Sequence, residues 1–362
     1  MAKVLISPLS WGLGHAMRDI PIIRTLLDHH HEVTIAACGD ALAVLKAEFP
    51  ECSFIEFHDY PPPYSTTRFF IPKFVASLPR MERALADERR NLKRILEKNR
   101  YDLIISDNRV GVYSLEIPTL FITHQIQYHF PLMLWPIEIS AIFANWYLFD
   151  NFVRVIVPDN PPGDLSLAGK LSRPINGLTD KKVFFSGILS SAQKTESEQD
   201  LDFLVLISGP EPQRTRLEEI LTPMLSELDG STVALLGSPQ KTPTRSVSDR
   251  CTLISYATNE EKVHLMNRAK FVICRSGYTS MMELAELNKR AGLFIPTPGQ
   301  TEQEYLSYYY EKKGWFYSKS QYKLDLAEDI PFARKYKGFP QMPGTRENAI
   351  RLYKELLAQY LE

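Results

Sequence analysis

The sequence predicts an α/β protein of two successive domains, each a parallel sheet covered by helices. Three observations carry this. The 362 residues suit two domains, at roughly 100–200 residues each. Short apolar runs alternate with segments of helical period, and the rhythm restarts near residue 200. A stretch rich in Pro, Gly and Ser, 160–177, lies between the two series and reads as an interdomain linker.

In the first series, KVLISPL (3–9) is a strand ending in a glycine-containing turn, and 17–30 has helical spacing. HEVTIAAC (31–38) is a β-branched strand, 41–49 a helix and SFIEF (53–57) a third strand. Such a βαβαβ order implies a parallel sheet buried on both faces. Three prolines make 59–70 a long loop. Residues 74–99 form a long, charged amphipathic helix, with Glu82, Asp87, Glu88 and Glu97 offsetting its arginines and lysines on a solvated face. YDLIISD (101–107), IPTLFITHQ (117–125) and FVRVIVPD (152–159) are further strands. KVFFSGIL (182–189) is expected to open the second half.

In the second series, strands fall at 203–209, 231–238, 251–257, 270–277 and 291–298. Helices fall at 215–228, 259–269 (capped by Asn259), 279–289, 302–314 and 345–362, and 239–249 reads as a mobile loop.

The net charge of −1 gives no global reason to expect a nucleic acid or an anionic membrane as partner. Four dispersed cysteines without a CxxC fit a reducing, cytoplasmic setting. The start lacks the pattern of a signal peptide. Residues 126–152 are rich in aromatic and apolar side chains but are interrupted by Pro131, Pro136, Glu138 and Asn145. They read as a buried helical segment; the sharper alternative is an acceptor pocket, or peripheral contact at the inner face of a membrane. His29, His30 and His31 cannot share one face, so they read as a solvated turn rather than a metal site.

The candidate chemistry begins at Ser276, Gly277, Tyr278, Thr279 and Ser280, between an apolar strand and a helix. A glycine there permits positive φ and close approach of a ligand. Helix N-terminal amides favour anions, so this is a diphosphate seat. Glu283, about one turn further on, is placed to accept from ribose hydroxyls. A bare helix start would instead be capped by Ser276 or Thr279. The turn Pro296–Gln303 follows the next strand on the same rim, where Glu302 and Gln303 can hold sugar hydroxyls. The alternative there is a capping box of Thr301 and Glu304.

Strand–RSG–x5–E followed by strand–PxP–x4–Q resembles the C-terminal donor domain of GT-B glycosyltransferases. The resemblance is to the peptidoglycan N-acetylglucosaminyltransferase (family 28) and the UDP-glycosyltransferases, and it covers nearly the whole chain. It implies two Rossmann-like domains with parallel sheets facing across a cleft. Residues 1–165 would bind the acceptor, 166–345 the nucleotide sugar, and helix 346–362 would pack back on the first domain. Gly209 matches the family's first glycine turn of the donor domain, though without the usual run of glycines, and Tyr256 falls near the expected nucleobase.

Gly12, Gly14 and His15 follow the first strand as GxGH does in these enzymes. The resemblance implies His15 as the base that deprotonates the acceptor hydroxyl, oriented by Asp107. Asn108, Arg109, His124 and Gln125 end neighbouring strands and are candidates for acceptor or phosphate contacts, with His124 an alternative base. The SDNR and ITHQ segments also resemble a subgroup of mainly bacterial glycosyltransferase-like proteins. The implied activity is inverting, metal-independent transfer from a nucleoside diphosphate sugar, a UDP-sugar first, to a hydroxyl acceptor. It needs no cofactor, the nucleotide sugar being a substrate. The alternatives are an isomerase like UDP-N-acetylglucosamine 2-epimerase and a non-catalytic nucleotide-sugar-binding protein. Acceptor and oligomeric state leave no trace in the sequence.

Overall fold

The computed structural model describes residues 1–59, 70–129, 145, 147–173, 182–238 and 244–362. The chain forms two compact units, Met1–Ser191 with Pro343–Glu362, and Ala192–Met342.

The first unit contains β1 (Lys3–Pro8), α1 (Leu13–Asp28), β2 (Glu32–Ala37), α2 (Gly39–Glu48), β3 (Ser53–Glu56), α3 (Phe70–Lys98), β4 (Leu103–Asp107), β5 (Thr119–Ile122), β6 (Arg154–Val157) and β7 (Val183–Phe185). Its seven strands lie in the order β3-β2-β1-β4-β5-β6-β7, every pair parallel. The apolar strands follow from burial on both faces. Val4, Ile6, Leu103 and Ile105 pack toward α1 through Ile20 and Ile23. The alternate residues, Leu5 and Ile104, pack toward α3 through Leu92. Each buried Leu or Ile contributes about 1.5–3 kcal/mol. The order reverses between β1 and β4, where Pro8 lies opposite Asp107. The segments after these two strands therefore leave the sheet side by side, at the point where open α/β sheets bind ligands.

The second unit contains β8 (Leu201–Leu206), α4 (Gln213–Leu225), β9 (Thr232–Leu235), β10 (Thr244–Ser248), β11 (Cys251–Ile254), α5 (Asn259–Arg268), β12 (Ala269–Cys274), α6 (Tyr278–Glu286), β13 (Gly292–Phe294), α7 (Thr301–Lys312), β14 (Tyr317–Ser318) and α8 (Leu326–Ala333). The strand order is β10-β11-β9-β8-β12-β13-β14. Only the edge strand β10 is antiparallel to its neighbour. This order reverses between β8 and β12, with Leu206 opposite Cys274 and Cys274 opposite Phe294.

The chain ends in α9 (Thr345–Leu352), a π-helical turn (Tyr353–Leu357) and α10 (Ala358–Leu361). Ala349, Leu352, Leu356 and Leu357 enter the core of the first unit. Thr345 Oγ1 accepts from Ser190 N at 3.0 Å, and Arg351 donates to Phe185 O at 2.9 Å. Gly187 adopts φ +79° beneath this helix, and a Cβ there would collide with Asn348.

Several expectations are corrected. The break between units falls after Ser191, not at 165, because β7 completes the first sheet. Residues 160–173 are not a linker. The buried Asp159 carboxylate gathers them, accepting from Leu167 N (2.7 Å), Ala168 N (3.1 Å), Ser166 Oγ (2.7 Å) and Ser172 Oγ (2.8 Å). Of the loop expected at 239–249, residues 244–248 form β10, while 239–243 lie outside the described residues. The cap of α5 is Thr258, not Asn259, in a reciprocal capping box with Glu261. His31 is buried, its Nε2 2.8 Å from Tyr353 Oη, and His29 stacks on the same ring. His29 and His30 form the expected exposed turn, and only His31 departs from it by being buried against Tyr353. Residues 60–69 and most of 126–152 lie outside the described residues. Among the described residues, no helix is long and apolar enough to cross a membrane.

Candidate active site

The reversal point of the first sheet gathers charge. Asp107 ends β4 with no exposure, and burial costs a carboxylate unless it is paired. Three residues down α1 from His15, Arg18 supplies the pairing. Its Nε donates to Asp107 Oδ2 at 2.7 Å and its Nη2 to Oδ1. His15 Nδ1 lies 3.0 Å from Oδ1. Arg18 Nη1 is 3.3 Å from His124 Nδ1, and Nη2 is 2.9 Å from His15 Nδ1. Burial alone would raise the Asp107 pKa, but the charge of Arg18 and the hydrogen bonds from His15 and Arg18 outweigh it and hold the group down at about 2. Burial lowers the His15 pKa, and the Asp107 carboxylate opposes this. His15 keeps 20% side-chain exposure. A neutral ring protonated on Nδ1, toward the carboxylate, leaves Nε2 as the basic nitrogen.

The remaining candidates of this unit separate. Gly14 lies half-buried in the first turn of α1. Asn108 takes φ +58° and donates its backbone N–H to Ile122 O, so it turns the chain out of β4. Gln125 is half-buried, its N–H donating to Thr123 Oγ1 at 3.1 Å. Arg109 is no ligand contact. It has no exposure, and it donates to Glu88 Oε1 (2.7 Å), Ser7 Oγ (3.1 Å), Phe57 O (3.1 Å) and His58 O (2.8 Å). It also pairs with Asp59, whose carboxylate holds Ser10 in the loop after β1. Glu88, expected on a solvated helix face, is thus Arg109's buried partner.

The reversal point of the second sheet gathers backbone. The N-cap of α6 is Gly277, and no side chain caps the helix. Gly277 takes φ −72°, so its value there is not a positive φ. Amides at a helix N-terminus favour anions. Thr279 and Ser280 lie half-buried in the first turn, and Tyr278 is buried. Ser276 neither caps nor faces a ligand: buried, it donates to Gln303 O at 2.9 Å and accepts from Ser307 Oγ at 2.9 Å.

Gln303 Oε1 accepts from Thr297 N at 2.8 Å, pinning the turn after β13. Its Nε2 would lie 3.7 Å from a Cβ at Gly277. Glu304 does not form the expected capping box with Thr301, since its Oε1 accepts from Gly299 N and the N-cap is Gln300. Glu302 is half-buried in the first turn of α7. Gly209 follows β8 at φ +116°, 3.6 Å (from its would-be Cβ) from Thr297 Oγ1. Tyr256, after β11, is half exposed.

Glu283 is buried and salt-bridged to Lys262 of α5, Oε1 to Nζ 2.6 Å. Sequence reasoning missed Lys262, and it missed Arg275. Arg275 is 1% exposed and donates to Ile295 O, Pro296 O and Gln213 O at 3.0–3.1 Å. Its guanidinium ties the ends of β12 and β13 to the start of α4, and burial lowers its pKa to about 10. The visible signal was an arginine closing the apolar run KFVIC. Among the described residues, no three or more His, Cys, Asp or Glu side chains cluster as a metal site would need.

No protein-family model and no curated protein matches the sequence. Solved structures do match along almost all of the chain. A glycotransferase of kitacinnamycin superposes with a TM-score of 0.66 at 12% identity, over 99% of this chain and 96% of that one. This is the GT-B fold. MurG of Acinetobacter baumannii gives a TM-score of 0.60 at 12% identity, covering 99% and 100%. The spinosyn rhamnosyltransferase SpnG, complexed with thymidine diphosphate, gives 0.62 at 15% identity, covering 98% and 96%. The GT-B likeness is one of architecture, and the chemistry rests on the residues above.

Proposed function

We propose that the protein is an inverting glycosyltransferase that moves a sugar from a nucleoside diphosphate sugar, a UDP-sugar first, to a hydroxyl acceptor without a metal ion. The observation that carries this reading is the uncapped N-terminus of α6 at the reversal point of the second sheet, beside Gly209 and Gln303 and one turn from Glu283. Its amides suit a diphosphate, and the Glu283 carboxylate suits a ribose hydroxyl. The complex of SpnG with thymidine diphosphate supports a nucleoside diphosphate as the ligand class.

The acceptor is assigned to the first unit. His15 Nε2 takes the acceptor proton as the acceptor oxygen bonds to the anomeric carbon. The bond from that carbon to the diphosphate breaks with it, so one displacement inverts the centre. The charge on the departing diphosphate is met by the α6 amides. His15 is preferred to His124 because the Asp107 carboxylate faces His15, which lets it stabilise the imidazolium.

The test is incubation with UDP-, GDP- and TDP-sugars and a panel of hydroxyl acceptors. Acceptor-dependent release of the nucleoside diphosphate with an inverted product is expected. Sugar interconversion without release would identify an epimerase. Binding with neither reaction would identify a non-catalytic binder.

A further inference from the structure

A second carboxyl stands at the first reversal point, and the reading above does not use it. Asp19 follows His15 by four residues, one turn of α1, so it shares the helix face that carries His15 and Arg18 toward Asp107. It has no exposure. Neither of its oxygens has a hydrogen-bond partner among the described residues. The charged groups acting on it are Asp107 from β4 and Arg18 from its own helix, and those two bind His15 and His124.

An ionised carboxylate only accepts hydrogen bonds. Two ionised carboxylates facing each other in a dry site repel, and neither can donate to the other. Arg18 turns its Nε and Nη2 to Asp107. A fully buried carboxyl that receives no donor is stable only if it carries one itself. Burial raises the proton affinity of Asp19, and the charge of Asp107 raises it further.

We propose that Asp19 is a neutral carboxylic acid whose hydroxyl faces the Asp107 carboxylate, which makes it a positioning residue that fixes the charge felt by His15. This deepens the function proposed above and rests on His15 being the base. With Asp19 neutral, the charges of Asp107 and Arg18 cancel and His15 stays unprotonated, ready to accept. An ionised Asp19 would leave the cluster with a net negative charge, hold a proton on His15 and remove the base.

Two measurements test this without substrate or turnover, so they stand apart from the identity of the reaction. Infrared difference spectra of wild type minus Asp19→Asn at neutral pH are expected to show the carbonyl stretch of a protonated carboxylic acid. No such band would overturn the proposal. NMR titration of His15 is expected to give the same midpoint in wild type and Asp19→Asn, because the amide is also a neutral donor. A midpoint lower by about one pH unit or more would mean that a negative charge had been removed, and would overturn it. Asp19→Ser supplies a neutral hydroxyl and takes the place of the amide should Asp19→Asn not fold. Where transfer is measured, the pH profile of kcat/KM is expected to keep its acidic limb in Asp19→Asn, and a displaced limb would contradict the assignment.

Discussion

The two reversal points occupy equivalent places in their sheets and differ in the side chains they gather. At the first, Asp107, Arg18, His15 and His124 bond one another, beside a start of α1 that also has a glycine N-cap and no side-chain cap. At the second, the start of α6 is uncapped, and Ser276, Gln303 and Arg275 spend their polar atoms holding loops in place. Such a division suits proton transfer at one point and anion binding at the other. A side-chain cluster tunes proton affinity, whereas fixed amides bind charge without titrating.

Removing the base should break the comparison most sharply. His15→Ala is expected to lower turnover by about 10²–10⁴-fold, read by steady-state kinetics. Near-normal turnover would exclude His15. Arg18→Met removes the main partner of the buried Asp107 carboxylate and should cost about 3–5 kcal/mol of stability, read by urea denaturation. A loss below about 1 kcal/mol, the range of exposed pairs, would show that the cluster is not held by this ion pair.

The pH dependence of stability sharpens the contrast within the cluster. The Asp107 pKa is depressed in the fold, so its contribution is present above the unfolded value near 4 and is lost as pH falls toward about 2. The Asp19 pKa is raised, so its contribution is full below about pH 4 and is lost as pH rises toward the folded value. Asp19→Asn is therefore expected to raise the Tm at neutral pH relative to wild type, with the difference shrinking as pH approaches 4. A gain that grows on acidification would have the wrong sign. The smallest effect belongs to the second point. Ser276→Ala removes buried hydrogen bonds to Gln303 and Ser307 and should cost about 1–3 kcal/mol while leaving the pH profile of turnover in place.

Much of this arrangement was legible in the sequence, for a physical reason. Strands buried on both faces are written as uninterrupted apolar runs, and the residues that end them must lie on one rim. That placed Asp107, Gly209 and Gly277 correctly along the chain. The direction of a side chain at a strand end is not written there. Arg109 and Ser276 sit beside candidate sites yet turn inward, because partners distant in sequence, Glu88 and Ser307, satisfy them. Asp19 was hidden for a similar reason: a carboxylate within an amphipathic helix reads as surface until its neighbours are known. The Asp159 cage was missed because prolines and glycines resemble a linker even when a single carboxylate orders them, and KVFFSGIL was placed in the second half although its strand β7 completes the first sheet. Residues 315–344 carried no assignment, and they hold β14 and α8, the latter capped by Asp325 through Ala327 N and Glu328 N.

The central claim is that donor binding belongs to the second reversal point and proton transfer to the first. Calorimetric titration of UDP onto wild type, His15→Ala and Glu283→Ala tests it most directly. The account predicts that His15→Ala binds UDP as wild type does, and that Glu283→Ala binds it about 10- to 100-fold more weakly, the worth of a hydrogen bond to a charged group. UDP affinity unchanged in Glu283→Ala, or lost in His15→Ala, would contradict it.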